Sequence, residues 1–272
     1  MRVLRFLGPD GRAHLGTLQA DGVRDAGRDT AGRQRRWLAG GRLPGDGPVV
    51  AVERWLPPVV PNRIFAVGRN YAAHAEEAGR VPPTEPIIWM KLRASVVGHE
   101  AEVAIPAASA EAVDFEGELA VVIGRPGFRV PPERALGLVG GYTVANDVTA
   151  RDVQARMPQW TLAKSLPGFS PLGPALVTAD ELPDPQALHL TTRVNGEVRQ
   201  SAPTAAMLYP VASLISFLSS LVPLAPGDVI ETGTPAGVGW HALPRRTLRP
   251  GDVVEVTIEP IGTLRTRFAA GA

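Results

Sequence analysis

The chain has 272 residues, enough for one large domain or for a small unit beside a larger one, and 44% of them are hydrophobic. Its 28 basic and 27 acidic residues nearly cancel, which argues against a nucleic-acid partner, whose electrostatic footprint is a strong basic excess. There is no cysteine, so disulfides, thiolate metal sites and cysteine nucleophiles are excluded.

Residues 1–19 alternate apolar and polar around Asp10-Gly11, the signal of a hairpin. The N-terminus lacks the apolar core of a signal peptide, and no run is apolar enough to span a bilayer. A cytoplasmic protein without a membrane partner is therefore expected. Residues 24–42, rich in arginine and glycine, read as a solvated helix and loop. The proline-rich WLPPVVPNR (55–63) reads as a linker between a small N-terminal unit, 1–58, and a main body, 59–272.

Beyond it the pattern is strand-rich. IFAVG (64–68), PIIWMK (86–91), GELAVVIG (117–124) and GYTVANDVT (141–149) read as strands. LHLTTRVNGEVRQ (188–200) reads as a hairpin turning at Asn195-Gly196. From Thr204, the spacing of Met207, Val211, Leu214, Ile215 and Leu218 predicts one face of a helix. PGDVIETG (226–233) and PGDVVEVTIE (250–259) are two more strands, each entered through Pro-Gly-Asp. Strands do not alternate regularly with long helices, so a doubly wound parallel sheet is disfavoured. The fold class is α+β with a large mixed or rolled β core.

VDFEGELAVVIG (113–124) places Asp114, Glu116 and Glu118 at alternate positions, hence on one side of a strand, with Phe115, Leu119, Val121 and Ile123 on the other. Either that acidic face is solvated or it holds a cation. With Asp147 of ANDVTARD as a third ligand, the set suits a hard divalent ion, Mg²⁺ or Mn²⁺, with Ca²⁺ also admissible. In GRNYAAHAEEAG (68–79), His74 and Glu77 stand three apart on a short helical turn. A carboxylate that orients an imidazole makes a general base, although such pairs also occur as plain surface contacts. The GRVPPTEP run after them reads as a loop able to act as a lid. Only two of the 28 basic residues are lysines, Lys91 and Lys164. Against such a bias a retained ammonium marks a position where a guanidinium does not serve. The glycine-rich ETGTPAGVG (231–239) lacks the signatures of nucleotide loops, and no nucleophile elbow is present.

Taken in order, VGRNYAAHAEE, VDFEGELAVVIG, GYTVANDVTARDVQ, WTLAKSLPGFSPLGP, VNGEVRQ and PGDVIETGTPAGVG resemble the fumarylacetoacetate hydrolase family, over roughly Ile64 to Thr263. The resemblance implies a mixed β-sheet rolled into an unusual barrel, with residues 1–58 as a small α+β accessory domain, and usually a homodimer. It implies a divalent cation on Glu116, Glu118 and Asp147, a catalytic dyad of His74 and Glu77, and Lys164 as the active-site lysine. Arg69, Arg151, Gln154, Gly233 and Thr234 fall on substrate-binding stretches. The implied activity is metal-dependent hydrolysis of a C–C bond in a β-diketo acid such as an acylpyruvate or fumarylpyruvate, releasing pyruvate. The alternatives are isomerisation or decarboxylation of a 2-hydroxyhepta-2,4-diene-1,7-dioate type of acid in aromatic catabolism, or a metal-binding protein without turnover.

Overall fold

The computed structural model describes residues 1–271. Its backbone is dominated by one mixed sheet of twelve strands. Along the main path the order is Val49–Val50, Gly22–Arg28, Ala13–Gln19, Arg2–Leu7, Ser170–Thr178, Val139–Asn146, Gly117–Ile123, Val229–Glu231, Ile64–Gly68 and Ile87–Lys91. Neighbours on this path are antiparallel except Val229–Glu231 and Ile64–Gly68, which run parallel. A five-stranded sheet, built around the hairpin His189–Val194 and Glu197–Pro203, packs against the central strands of the large one.

The path is open at both ends, and no closed barrel is found among the described residues; the observed class is α+β with a large mixed sheet and few helices. The first 58 residues extend this sheet, since Arg2–Leu7 pairs antiparallel with Ser170–Thr178. Within the stretch read as helix and loop, residues 24–28 instead belong to the strand Gly22–Arg28, and the helix is confined to Ala31–Leu38. Thr30 caps that helix by accepting from Arg33 N.

Two further differences have local causes. Pro210 lacks an N–H and stands at the N-cap, so the helix predicted from Thr204 begins only at Val211. Met207 lies outside it, yet it is buried in the same cluster as Val211, Leu214, Ile215 and Leu218. The 113–124 strand is interrupted: Val113–Asp114 pairs with Thr149–Ala150, whereas Gly117–Ile123 belongs to the large sheet. Both faces of Gly117–Ile123 are buried. Leu119, Val121 and Ile123 join one core cluster, and Ala120 and Val122 another. Among the described residues, no helix is long and apolar enough to cross a membrane.

Candidate metal centre and active site

Three strand ends converge on the acidic cluster. Glu118 projects from the start of Gly117–Ile123, Asp147 follows the end of Val139–Asn146, and Glu116 sits in the break before Gly117. The break is held by polar contacts: Asp147 N donates to Glu116 O (2.8 Å) and Glu116 N donates to Asn146 Oδ1 (3.0 Å). One carboxylate oxygen from each of Glu116, Glu118 and Asp147 lies within 4.8 Å of the others, and all three residues are buried. A solvated face is thereby ruled out.

Asp114, the third alternating acid, does not join them. The interruption at 115–116 sends its carboxylate to Arg151, whose Nε and Nη2 donate at 2.9 and 2.8 Å, and to the amides of Gly239 and Trp240. From there a chain of alternating charge crosses the interior. Arg151 reaches Glu116 (2.6 Å), and Lys164 Nζ donates to Glu116 (2.8 Å), Asp147 (2.6 Å) and Thr149 Oγ1 (2.9 Å). Lys91 bonds Asp147 and stands 3.3 Å from Glu231. Both lysines of the chain are therefore buried in this one site.

The inventory does not balance. Five buried carboxylates (Asp114, Glu116, Glu118, Asp147 and Glu231) face three buried cations (Lys91, Arg151 and Lys164), an excess of two negative charges. The titration behaviour follows. Burial raises the Glu116 carboxyl, but Lys164 and Arg151 outweigh it and hold the group well below the usual range. Among the described residues Glu118 forms no ion pair: burial, then Asp147, Glu231 and Glu116, push it well above the ordinary value, with Lys164 opposing. Burial also lifts Glu231 to about 7, with Lys91 opposing. An all-oxygen donor set carrying two uncompensated negative charges fits one hard divalent cation.

Beside the cluster opens a pocket of about 310 Å³, lined among others by Arg69, His74, Glu116, Arg151, Gln154, Lys164 and Thr234. His74 and Glu77 lie on the short helix Ala72–Glu77, and His74 Nδ1 is 2.7 Å from Glu77 Oε1. A carboxylate only accepts, so Nδ1 carries the hydrogen and Nε2 presents its lone pair. Glu77 is fixed in turn by Gly237 N, which donates to Oε2 at 2.9 Å.

The other expected residues are placed as follows. Gln154 Oε1 accepts from Arg151 (3.1 Å). Thr234 Oγ1 donates to Gly117 O and accepts from Gln200. Gly233 N donates to Glu118 Oε2 at 2.8 Å from a backbone at φ +98°, where a Cβ would come within 2.7 Å of Asn70 Cβ. Gly233, Glu77, Glu118 and Asp147 stand behind the residues that line the pocket.

Sequence reasoning did not place Lys91, Glu231, Arg80, Trp89, Trp160 or His241 here. Lysine scarcity was the available signal for Lys91; His241 was one of five histidines and had none. A larger cavity of about 1020 Å³ lies elsewhere, between the N-terminal strands and the main body. It is remote from the acidic cluster and the dyad, so the chemistry points to the smaller pocket.

The family model described as "Fumarylacetoacetate (FAA) hydrolase C-terminal" matches residues 63–269. An uncharacterized protein of Archaeoglobus fulgidus is 50% identical over 218 residues, 80% of this chain and 82% of its own. Among solved structures, a fumarylacetoacetate hydrolase from Exiguobacterium antarcticum superposes with a TM-score of 0.87 at 38% identity, covering 100% of both chains. A 2-hydroxyhepta-2,4-diene-1,7-dioate isomerase from Mycobacterium marinum gives 0.82 at 35%, covering 100% of this chain and 99% of that one.

Proposed function

The chain belongs to the fumarylacetoacetate hydrolase family, and on that footing we propose that it is a divalent-metal-dependent hydrolase that cleaves the C–C bond of an acylpyruvate-type β-diketo acid. The observation that carries the reading is the 2.7 Å His74–Glu77 pair, whose imidazole opens onto the same pocket as Glu116. Glu116, Glu118 and Asp147 would hold Mg²⁺, or Mn²⁺ or Ca²⁺ in its place. When bound, such an ion supplies Lewis-acid stabilisation of the negative charge that develops on a 2-oxo acid.

The protein's own groups do the rest. His74 Nε2 takes a proton from water, and the hydroxide adds to the carbonyl distal to the carboxylate. Collapse of that adduct breaks the C–C bond and leaves its electron pair on the pyruvate enolate. The protonated His74 then returns its proton to the enolate carbon, so pyruvate and a carboxylic acid leave. Glu77 holds the imidazole tautomer throughout. Lys164, with all three hydrogens engaged by Glu116, Asp147 and Thr149, keeps Glu116 ionised and brings a positive charge to the pocket wall. Arg69, Arg151, Gln154 and Thr234 are the groups that position substrate, and Gly233 acts behind them by holding Glu118.

A second reading keeps the cation site and exchanges hydrolysis for isomerisation or decarboxylation of a dienedioate-type acid. It is favoured by His241, whose ring stands edge-on 6.4 Å from that of His74 and gives the pocket two proton-handling groups. The deciding experiment is pyruvate release from a panel of acylpyruvates with Mg²⁺ and with chelator. Metal-dependent pyruvate supports hydrolysis, and turnover of hydroxydienoates alone supports the second reading. Metal binding without turnover of either class would remove both.

A further inference from the structure

We propose that Arg69 and Arg80 form a carboxylate clamp in the active-site pocket, and that Arg80 sets a preference for substrates with a second carboxylate at the far end of the acyl chain. The inference rests on the reading that this pocket binds a 2-oxo acid. It begins from an imbalance opposite in sign to the one at the metal centre.

Three arginines line the pocket. Arg151 is engaged by Asp114 and Glu116. Among the described residues, Arg69 and Arg80 form no ion pair, although the same pocket reaches an acidic cluster with two negative charges to spare. The protein's own carboxylates therefore do not reach these guanidiniums, and the pocket has a negative pole and a separate positive one. The ionisation of Arg69 is disfavoured first by burial and then by Arg80, so the two cations act on each other without an anion between them.

The placement of Arg69 is built into the backbone. It adopts φ +52°, a left-handed conformation costly for a side chain with a Cβ, between Gly68 and a fully buried Asn70. Asn70 locks the turn: its Nδ2 donates to Thr232 O (2.8 Å) and Tyr209 O (3.1 Å), and its Oδ1 accepts from Tyr209 N (2.8 Å). The guanidinium of Arg69 lies 5.7 Å from the centroid of the Trp160 ring, and Trp160 packs edge-on against Trp89 at 5.0 Å. Gly68 makes room for that pair, since a Cβ there would come within 2.8 Å of the Trp89 ring.

The chemistry of the ligand follows from these parts. A pocket of about 310 Å³ is at the small end for a ligand site, which suits a short acid. One end of it, a 2-oxo carboxylate, belongs to the cation centre. Between Lys164 and Arg69 stand two indoles, Trp89, whose centroid is 5.0 Å from Lys164 Nζ, and Trp160 against it. The far end meets two forked guanidiniums, whose geometry matches a carboxylate. A neutral acyl tail would leave both cations without a partner, Arg69 in a partly desolvated position, which costs affinity as well as forgoing a contact.

The test uses two six-carbon ligands, 2-oxoadipate and 2-oxohexanoate, which differ by a terminal carboxylate against a methyl. Their binding to the Mg²⁺-loaded protein is measured by calorimetry. A charge-assisted contact is worth roughly 1.5–3 kcal/mol, so 2-oxoadipate is expected to bind about tenfold or more tightly. Arg80→Ala should bring the ratio close to one without changing Mg²⁺ affinity, and Arg80→Lys should keep part of it. Arg80 is exposed, so the variants are expected to unfold at the temperature of the parent. Equal affinity for the two ligands, or a ratio unchanged in Arg80→Ala, would overturn the clamp. Binding of 2-oxohexanoate that requires Mg²⁺ but shows no preference sinks the clamp and leaves the proposed function standing. Selective binding that ignores Mg²⁺ does the reverse, and no binding of either ligand overturns both.

Discussion

Replacing Lys91 by Met tests whether the interior is an electrostatic unit poised for one cation. Met has a similar length and apolar stem but no charge. In the parent, Lys91 Nζ donates to Asp147 and to Phe169 O (2.9 Å), and it stands 3.3 Å from Glu231. Burial opposes its charge, but Asp147 and Glu231 outweigh that and hold it ionised. At a pH where Glu118 and Glu231 are ionised, the substitution raises the excess from two negative charges to three, around two carboxylates with no exposed surface. Removing one member of a buried ion pair costs about 3–5 kcal/mol, because the abandoned charge keeps its desolvation penalty. At roughly 2–4 °C per kcal/mol for a chain of this size, thermal unfolding in EDTA should drop by on the order of 10 °C. Adding Glu231→Gln to Lys91→Met removes a negative charge in turn and should recover at least half of the loss. A drop of less than about 3 °C, or a double variant no more stable than the single one, would refute the charge inventory.

Three further outcomes follow from the same geometry. Glu77→Gln should lower kcat by about 10²- to 10⁴-fold while leaving Mg²⁺ affinity unchanged, because Glu77 orients His74 and touches no candidate ligand. A parallel loss of metal binding would show that the dyad and the metal centre are not separate. The thermal gain from Mg²⁺ should grow between pH 5.5 and 8. Glu231, lifted to about 7, and Glu118, also raised, hold protons in the folded state that the unfolded chain has released. The metal-free protein therefore loses stability as pH climbs from about 4.5 through 7, and a cation that replaces those protons counters the loss. The depressed Glu116 acts in the opposite sense, but only as pH falls below its unfolded value of about 4.3. A gain that shrinks with pH would contradict this. Gly233→Ala should destabilise by more than about 1 kcal/mol and weaken Mg²⁺ binding, since φ +98° and the Asn70 contact both reject a Cβ. An alanine variant matching the parent in both calorimetry and denaturation would mean that the Gly233–Glu118 bond is dispensable.

What could be read from the sequence was mostly what depends on near neighbours. The Ile64–Gly68 strand and the hairpin at Asn195-Gly196 follow from local pattern and turn chemistry, and both form as expected. The pairing of Glu116 with Glu118 rests on a period of two, and the dyad rests on a period of three to four. Those spacings survive folding. Asp114 obeyed the same period and still went elsewhere, because the strand breaks where Asn146 and Asp147 bind the backbone of Glu116. That break is a tertiary event with no mark in the residues 113–118 themselves. Sheet closure is non-local in the same way, and alternation of side chains does not encode whether edge strands meet. Lys91 shows a middle case: composition flagged it, and only the fold revealed that its partners are Asp147 and Glu231.

The central claim is a divalent-cation centre on Glu116, Glu118 and Asp147, and calorimetric titration with Mn²⁺ and Mg²⁺ tests it most directly. The account predicts one ion per chain, proton release on binding that diminishes as pH rises, and loss of binding in a folded Glu118→Gln variant. Absence of divalent binding, or binding unaltered by Glu118→Gln, would contradict it.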